Sequence, residues 1–330
     1  AWNGSERHAR GGRKGDDRDV ESSACAGVRA TSGRAPDPPC PRTARKGTFH
    51  GVNFADALRS SGPVRGRSSG RVLGIVPARL ASTRLPDKPL YPLLGRPLIE
   101  WVWRRVKDMP SLDAVVVATD HESVAEVCRK VGAPVELTRA DHPSGTDRIA
   151  EVAERPAYAD FDIVVNVQGD EPLLREEHLA AAVRLVRDGW DVGTCATPLR
   201  DAEGRKDPSV VKVVRGDTGR ALYFSRAAIP YKRDGKPTSD ELQAAPFLRH
   251  IGLYAYARDA LLRWVGLPPS RLERLEMLEQ LRPLEAGMPI GVAVVGAADA
   301  GVDTPADAVR TERRLKQLGF EPVTYEHGVS

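Results

Sequence analysis

Three short, unbroken apolar runs govern what this chain can fold into: residues 72–78 (VLGIVPA), 113–120 (DAVVVATD) and 161–168 (FDIVVNVQ). A strand with one face in water alternates polar and apolar residues. Continuous β-branched runs instead signal strands covered on both faces. Helical patterns surround them, at 97–107, 122–131, 145–153 and 176–187. Strand–helix alternation of this kind predicts an α/β fold, a three-layer, mostly parallel sheet.

Beyond the third run the texture changes. Residues 210–225 (VVKVVRGDTGRALYFS) read as a hairpin turning at 216–219. Residues 247–256 read as a strand in which Ile251, Leu253 and Ala255 alternate with His250, Gly252 and Tyr254. Leucines at helical spacing predict one helix over 271–286, and 290–295 returns to the core as a strand. An antiparallel insertion in a parallel sheet is the economical arrangement.

The chain of 330 residues carries 49 Lys+Arg against 45 Asp+Glu, which taken alone suggests an anionic polymer as partner. The charge is unevenly placed: residues 1–70 hold 13 basic and 7 acidic side chains, and residues 71–330 hold 36 and 38. The later part is slightly acidic and carries no nucleic-acid motif, so no nucleic-acid partner is expected. Residues 1–70 are crowded with Gly, Ser, Pro and Arg and are expected to be a disordered basic extension. No Met precedes Met109, so initiation is expected near Val64 or Val72. There is no apolar run of about 18 residues and no secretory leader pattern, so no membrane partner is expected. Cys25, Cys40, Cys128 and Cys195 form no CxxC pair, which argues against a zinc knuckle or disulfide framework and for a cytoplasmic setting.

In open α/β sheets, ligands bind beyond the carboxyl ends of the strands. After the first run comes 77–90 (PARLASTRLPDKPL), which supplies Arg79, Arg84 and Lys88 with the hydroxyls of Ser82 and Thr83. Such a loop suits a polyphosphate, its cations neutralising charge and its amides forming an anion nest. A solvated basic loop is the plainer alternative. The loop is neither a Walker A motif nor GxGxxG, which counts against hydride transfer on a nicotinamide cofactor. After the third run, 166–172 (NVQGDEP) puts Gln168 and Asp170 where a core strand ends. Asp170 there suits Mg²⁺, which takes few protein carboxylates, or else it is a turn residue. In 301–305 (GVDTP), Thr304 or Asp303 caps a helix begun by Pro305. Asp303 becomes a second metal ligand only if the fold brings it beside Asp170. Ser144, Gly145, Thr146 and Asp147 in 141–148 (DHPSGTDR) open a helix, and either read a base edge or phosphate with free amides or form a capping turn. On the 247–256 strand His250 and Tyr254 share a face, and Glu279 and Gln280 lie in the 271–286 pattern. Read alone, His250 is an ordinary core or surface histidine, and the Glu and Gln are solvated.

Taken together, PARLASTRLPDKPL, VATDHESV, DHPSGTDR, NVQGDEP, VKVV, ALYFSR, RHIGLYAY, LEMLEQLR and GVDTP occur in order from residue 71 to about 316, and resemble the 3-deoxy-manno-octulosonate (Kdo) cytidylyltransferases. The resemblance implies a nucleotide-diphospho-sugar transferase-like fold over 71–330, with an antiparallel insertion that joins a homodimer. The implied reaction is CTP plus Kdo giving CMP-Kdo and pyrophosphate, for lipopolysaccharide synthesis. It assigns Arg79, Ser82, Thr83, Arg84 and Lys88 to the triphosphate, and Ser144, Gly145, Thr146, Asp147 and Gln168 to the nucleotide. Asp170 and Asp303 become Mg²⁺ ligands, against the capping reading of Asp303, and Arg226, His250, Tyr254, Glu279 and Gln280 meet the sugar acid. Two departures stand out: Asp87 where the family usually has Gly, and Leu80 where it has an aromatic residue. An 8-amino analogue of Kdo remains an alternative substrate. An N-acylneuraminate is a further one, disfavoured because the loop here ends Lys88-Pro89 and lacks that family's Lys-Asn ending.

Overall fold

The computed structural model describes residues 70–244 and 246–323. Of the basic extension expected over residues 1–70, residues 1–69 lie outside the described residues. The three apolar runs form β1 (Arg71–Ala78), β2 (Ala114–Thr119) and β4 (Phe161–Asn166). With β3 (Val135–Leu137), β5 (Val192–Pro198), β6 (Lys212–Arg215), β7 (Ala221–Ser225), β8 (Leu248–Ala257) and β9 (Ile290–Val294) they make one nine-stranded sheet. Its main path runs β9-β5-β8-β4-β1-β2-β3, with β6 and β7 branching from β8.

β1 lies parallel between β2 and β4, with Ile75 opposite Val116 and Asn166. Five successive β1 residues, Val72 to Val76, are buried, as the continuous apolar run demands of a strand covered on both faces. α1 (Leu98–Val106) and α2 (Glu122–Lys130) pack together over β1 and β2, while α3 (Gly145–Ala153) packs with α5 (Arg258–Gly266) over β1 and β4. α4 (Glu176–Arg187) covers β5, β8 and β9, and α6 (Pro305–Gln317) closes the described chain. β8 alone on the main path runs antiparallel, pairing Tyr254 with Asn166 of β4 and Tyr256 with Val192 of β5. The expected hairpin is β6–β7, turned by the Gly219 amide donating to Gly216 O at 3.0 Å.

The single helix expected over 271–286 is corrected by the structure to two short ones, Arg271–Glu276 and Leu281–Glu285. Pro283 has no amide proton for the Glu279 carbonyl, and its ring would clash with a helix passing through that point. The chain instead leaves the helix at Met277, whose φ of 52° is left-handed, and restarts so that Pro283 falls inside a first turn.

Between β1 and α1 the loop makes a 3₁₀ turn, Lys88–Leu90, entered through Asp87 at φ 50° and ψ 36°. A left-handed residue suits Gly best, and Asp is among the few others that tolerate it. Asp87→Val is expected to destabilise the fold by about 1–2 kcal/mol, and Asp87→Gly to be near neutral, in urea unfolding followed by circular dichroism.

Candidate active site

β1, β2 and β4 run parallel, so their carboxyl ends Ala78, Thr119 and Asn166 open onto one edge of the sheet. There the 79–90 loop, the start of α3, the loop after β4 and the segment before α6 enclose a cavity of about 420 Å³. Its lining includes Arg79, Ser82, Thr83, Arg84 and Lys88 from the first loop and Ser144 and Gly145 from the α3 start. Gln168, Asp170 and Asp303 complete the set, so ten residues assigned from sequence share one hollow.

At its centre Lys88 Nζ donates to Asp170 Oδ2 at 2.5 Å and to Asp303 Oδ1 at 2.8 Å. Arg84 reaches the same Asp303 oxygen at 3.0 Å. Burial pulls the Lys88 ammonium down, but Asp170 and Asp303 together hold it above its ordinary value. The condition set for Asp303 as a ligand is met: the Val302 amide donates to Asp170 O at 2.8 Å and locks the two loops together. Gly169 permits a second close approach, because a Cβ there would lie 2.5 Å from Pro77 O.

Ser144 caps α3, its Oγ accepting from the amides of Thr146 (3.1 Å) and Asp147 (3.2 Å). The same oxygen lies 2.6 Å from Asp147 Oδ2 and 3.0 Å from Glu279 Oε1. Thr146 is buried behind this turn, and neither it nor Asp147 lines the cavity. The plain reading of Glu279 and Gln280 as solvated is corrected: Gln280 is buried, and burial lifts the Glu279 carboxyl above its ordinary value.

His250, Tyr254, Tyr256 and Trp264 form an aromatic cluster beside this network. Thr194 Oγ1 gives its one proton to Leu253 O at 2.7 Å, so it accepts from Nε2–H of His250 at 3.0 Å. Gln168 Nε2 donates to Gly252 O at 3.0 Å, where β8 slips register between Ile251 and Tyr254. Arg226 stands apart from the cavity, its guanidinium donating to the carbonyls of Glu276, Pro208 and Met277.

Sequence reasoning assigned no role to Arg148 or Asp120. Arg148 lines the cavity and donates to Asp120 Oδ2 at 2.9 Å, while Asp120 Oδ1 accepts from the Leu80 amide at 3.2 Å. This carboxylate ties the 79–90 loop to α3. Its signal was present, an Asp directly after a buried strand at the ligand-binding edge.

The family model described as "Cytidylyltransferase" matches residues 73–290. The 3-deoxy-manno-octulosonate cytidylyltransferase of Gemmatimonas aurantiaca is 53% identical over 72% of this chain and 92% of its own length. That of Syntrophotalea carbinolica is 46% identical over 75% and 99%. The chain belongs to the 3-deoxy-manno-octulosonate cytidylyltransferase family. Like other members of this family it is a nucleotidyltransferase. A solved structure described as CMP:2-keto-3-deoxy-manno-octonic acid synthetase complexed with CTP is 38% identical, covers 76% of this chain and 100% of its own, and superposes with a TM-score of 0.69. A 4-diphosphocytidyl-2C-methyl-D-erythritol synthase from Anaerococcus prevotii is 13% identical with a TM-score of 0.51, and shares the fold alone.

In this cytidylyltransferase, burial and the neighbouring Arg249 hold His250 down to about 3. The folded value lies below the ordinary 6.5. The neutral form is therefore favoured by folding, and the associated stability is complete above about pH 6.5 and lost as pH falls toward about 3. Across that window His250→Gln is expected to lose stability less steeply than the parent in urea melts. Imidazole NMR should show no His250 titration near pH 6.5.

Proposed function

We propose that this chain transfers CMP from CTP to 3-deoxy-D-manno-octulosonate, releasing pyrophosphate and supplying CMP-Kdo for lipopolysaccharide synthesis. The observation that carries this reading is the meeting of Lys88, Asp170 and Asp303 in a cavity rimmed by Arg79 and Arg84. CTP brings about four negative charges, which three cations and a set of loop amides can neutralise. Ser82 and Thr83 meet the triphosphate, and Ser144 and Gly145 with Gln168 hold the cytidine, Thr146 and Asp147 supporting that turn from behind. The anomeric oxygen of the sugar acid forms its bond to the α-phosphorus as the α–β phosphoanhydride bond breaks. Pyrophosphate leaves with the electron pair, and the hydroxyl proton passes to solvent.

Asp170 and Asp303 would hold Mg²⁺. Both are hard oxygen donors, and both already reach one cationic atom, Lys88 Nζ, at 2.5 and 2.8 Å. When bound, such an ion neutralises phosphate oxygens and polarises the attacked phosphorus. With Asp170 and Asp303 so engaged, the Lys88 ammonium would be available to the triphosphate. His250, Tyr254, Glu279 and Gln280 orient the sugar acid, and Arg226 meets its carboxylate by giving up main-chain carbonyl bonds. Neutral His250 serves as a hydrogen-bond partner and leaves proton transfer to water.

The cytoplasm is the proposed setting, since Cys128 and Cys195 are both free thiols. Among the described residues no helix is long and apolar enough to cross a membrane. A homodimer is also proposed. Leu222 on β7 and Leu275 and Met277 at the end of the Arg271–Glu276 helix are exposed, at 57%, 80% and 76%. Glu276 binds Ser225 Oγ at 2.6 Å, so these apolar groups sit on joined elements that a second copy would cover. Leu222→Asp with Met277→Asp is expected to shift the sedimentation coefficient to that of a monomer.

The deciding assay is pyrophosphate release by the full chain with CTP and Mg²⁺ against Kdo, 8-amino-Kdo and N-acetylneuraminate. Release with Kdo is expected, falling at least about a hundredfold in Asp170→Asn and in Lys88→Met. Preference for either other acid would overturn the Kdo assignment while leaving the cytidylyl-transfer chemistry standing.

A further inference from the structure

Beyond the segment that carries Asp303 lies a second cavity of about 490 Å³, walled by β8, the loop after β5, residues 298–301 and α6. Five arginines line it: Arg200, Arg249, Arg310, Arg313 and Arg314. Arg249 and His250 are consecutive on β8, so their side chains leave opposite faces of the sheet. His250 joins Thr194, Phe224 and Tyr254, whereas Arg249 donates to Ala298 O at 3.1 Å. This hollow is therefore separate from the cluster proposed for the sugar acid.

Its three carboxylates are already committed. Asp201 Oδ1 accepts from the Gly204 amide at 2.7 Å and caps a short helix. Asp307 closes the capping box of α6 with Thr304 and pairs with Arg310. Asp299 lies 3.3 Å from Arg175 and 3.9 Å from Arg314. Among the described residues, no carboxylate oxygen comes within 4.0 Å of Arg200, Arg249 or Arg313. Arg249 is half-buried and lies near Arg200; burial first, then that like charge, pushes its guanidinium below the ordinary value. Glu171 and Asp299 offset this only in part, so an added anion beside Arg249 and Arg200 is favourable.

We propose that this cavity is a second anion-binding site, taking a small phosphate-bearing molecule between Arg200, Arg249 and Arg313. Guanidinium forks match phosphate oxygens in pairs. The site is a half-open concavity with arginines on more than one wall, which suits a compact anion better than a flat lipid surface.

The test is calorimetric titration of inorganic phosphate into the full chain and four variants. Lys88→Met removes the central cation of the nucleotide cavity. Arg200→Ser and Arg313→Ser alter exposed side chains that folding does not need, and Arg249→Met alters the half-buried one. Circular dichroism melts establish that each variant folds. The expected result is phosphate binding that survives Lys88→Met and weakens about tenfold or more in each arginine variant. Binding lost in Lys88→Met but intact in the arginine variants would place the ion in the nucleotide cavity and overturn the proposal, as would no binding to the parent chain. Neither overturning result bears on Kdo-dependent pyrophosphate release, so the two readings fail separately.

Discussion

One ammonium group holds this site together. Lys88 collects two carboxylates that lie 82 and 215 residues away in sequence, Asp170 and Asp303. Half-buried carboxylates brought this close repel strongly unless a cation stands between them. The fold's other local choices serve that meeting. Asp87 turns left-handed so that Lys88 begins the 3₁₀ turn, Gly169 lets the loop after β4 approach Pro77, and the Val302 amide latches onto Asp170 O. The same arrangement bears on the proposed metal: a triphosphate that competed for Lys88 would leave the two aspartates in need of another cation.

The cavity at the carboxyl edge and the aromatic cluster are joined by hydrogen bonds. Ser144 lies between the cavity and Glu279, and Gln168 lies between the cavity and Gly252 O at the β8 irregularity. That irregularity matters because β8 is the one antiparallel strand on the main path of the sheet. Its slipped register turns carbonyls of residues 251–253 toward Thr194 and Gln168. His250, fixed by Thr194 in its Nε2–H form, and Gln168, fixed by Gly252, are thereby oriented by one stretch of backbone. A displacement of that stretch would move both.

Much of this was legible in the chain, because parallel α/β sheets convert local patterns into global placement. The buried strands follow from unbroken apolar runs, the helices at 145–153 and 176–187 from periodicity and the 216–219 turn from its glycines, and the carboxyl-edge rule locates the cationic loop and Asp170. Asp303 was not legible without the family resemblance, since its partner lies more than a hundred residues away and nothing local distinguishes it from a cap. Asp120 and Arg148 were missed for a similar reason: each is a supporting residue defined by a tertiary bond. The 271–286 error has a different origin. Leucine spacing alone favours one helix there, but Pro283 forbids a continuous one.

The two readings of residues 301–305, helix cap and proposed metal ligand, do not exclude each other: Thr304 forms the cap while the Asp303 carboxylate enters the cavity. Thr304 takes the extended backbone of an N-cap, φ −134° and ψ 163°, and closes a capping box with Asp307. Asp307 Oδ2 also accepts from the Asp303 amide at 3.2 Å and the Thr304 amide at 2.8 Å. With its backbone anchored in this way, Asp303 has its carboxylate free to reach Lys88 and Arg84. The cap on α6 thus sets the position of a charge in the active site, and the energy that starts the helix also resists drift of Asp303 away from Asp170. A residue that caps and a residue whose carboxylate enters the cavity sit side by side for a physical reason: the rigid start of a helix is a good place from which to aim a short side chain.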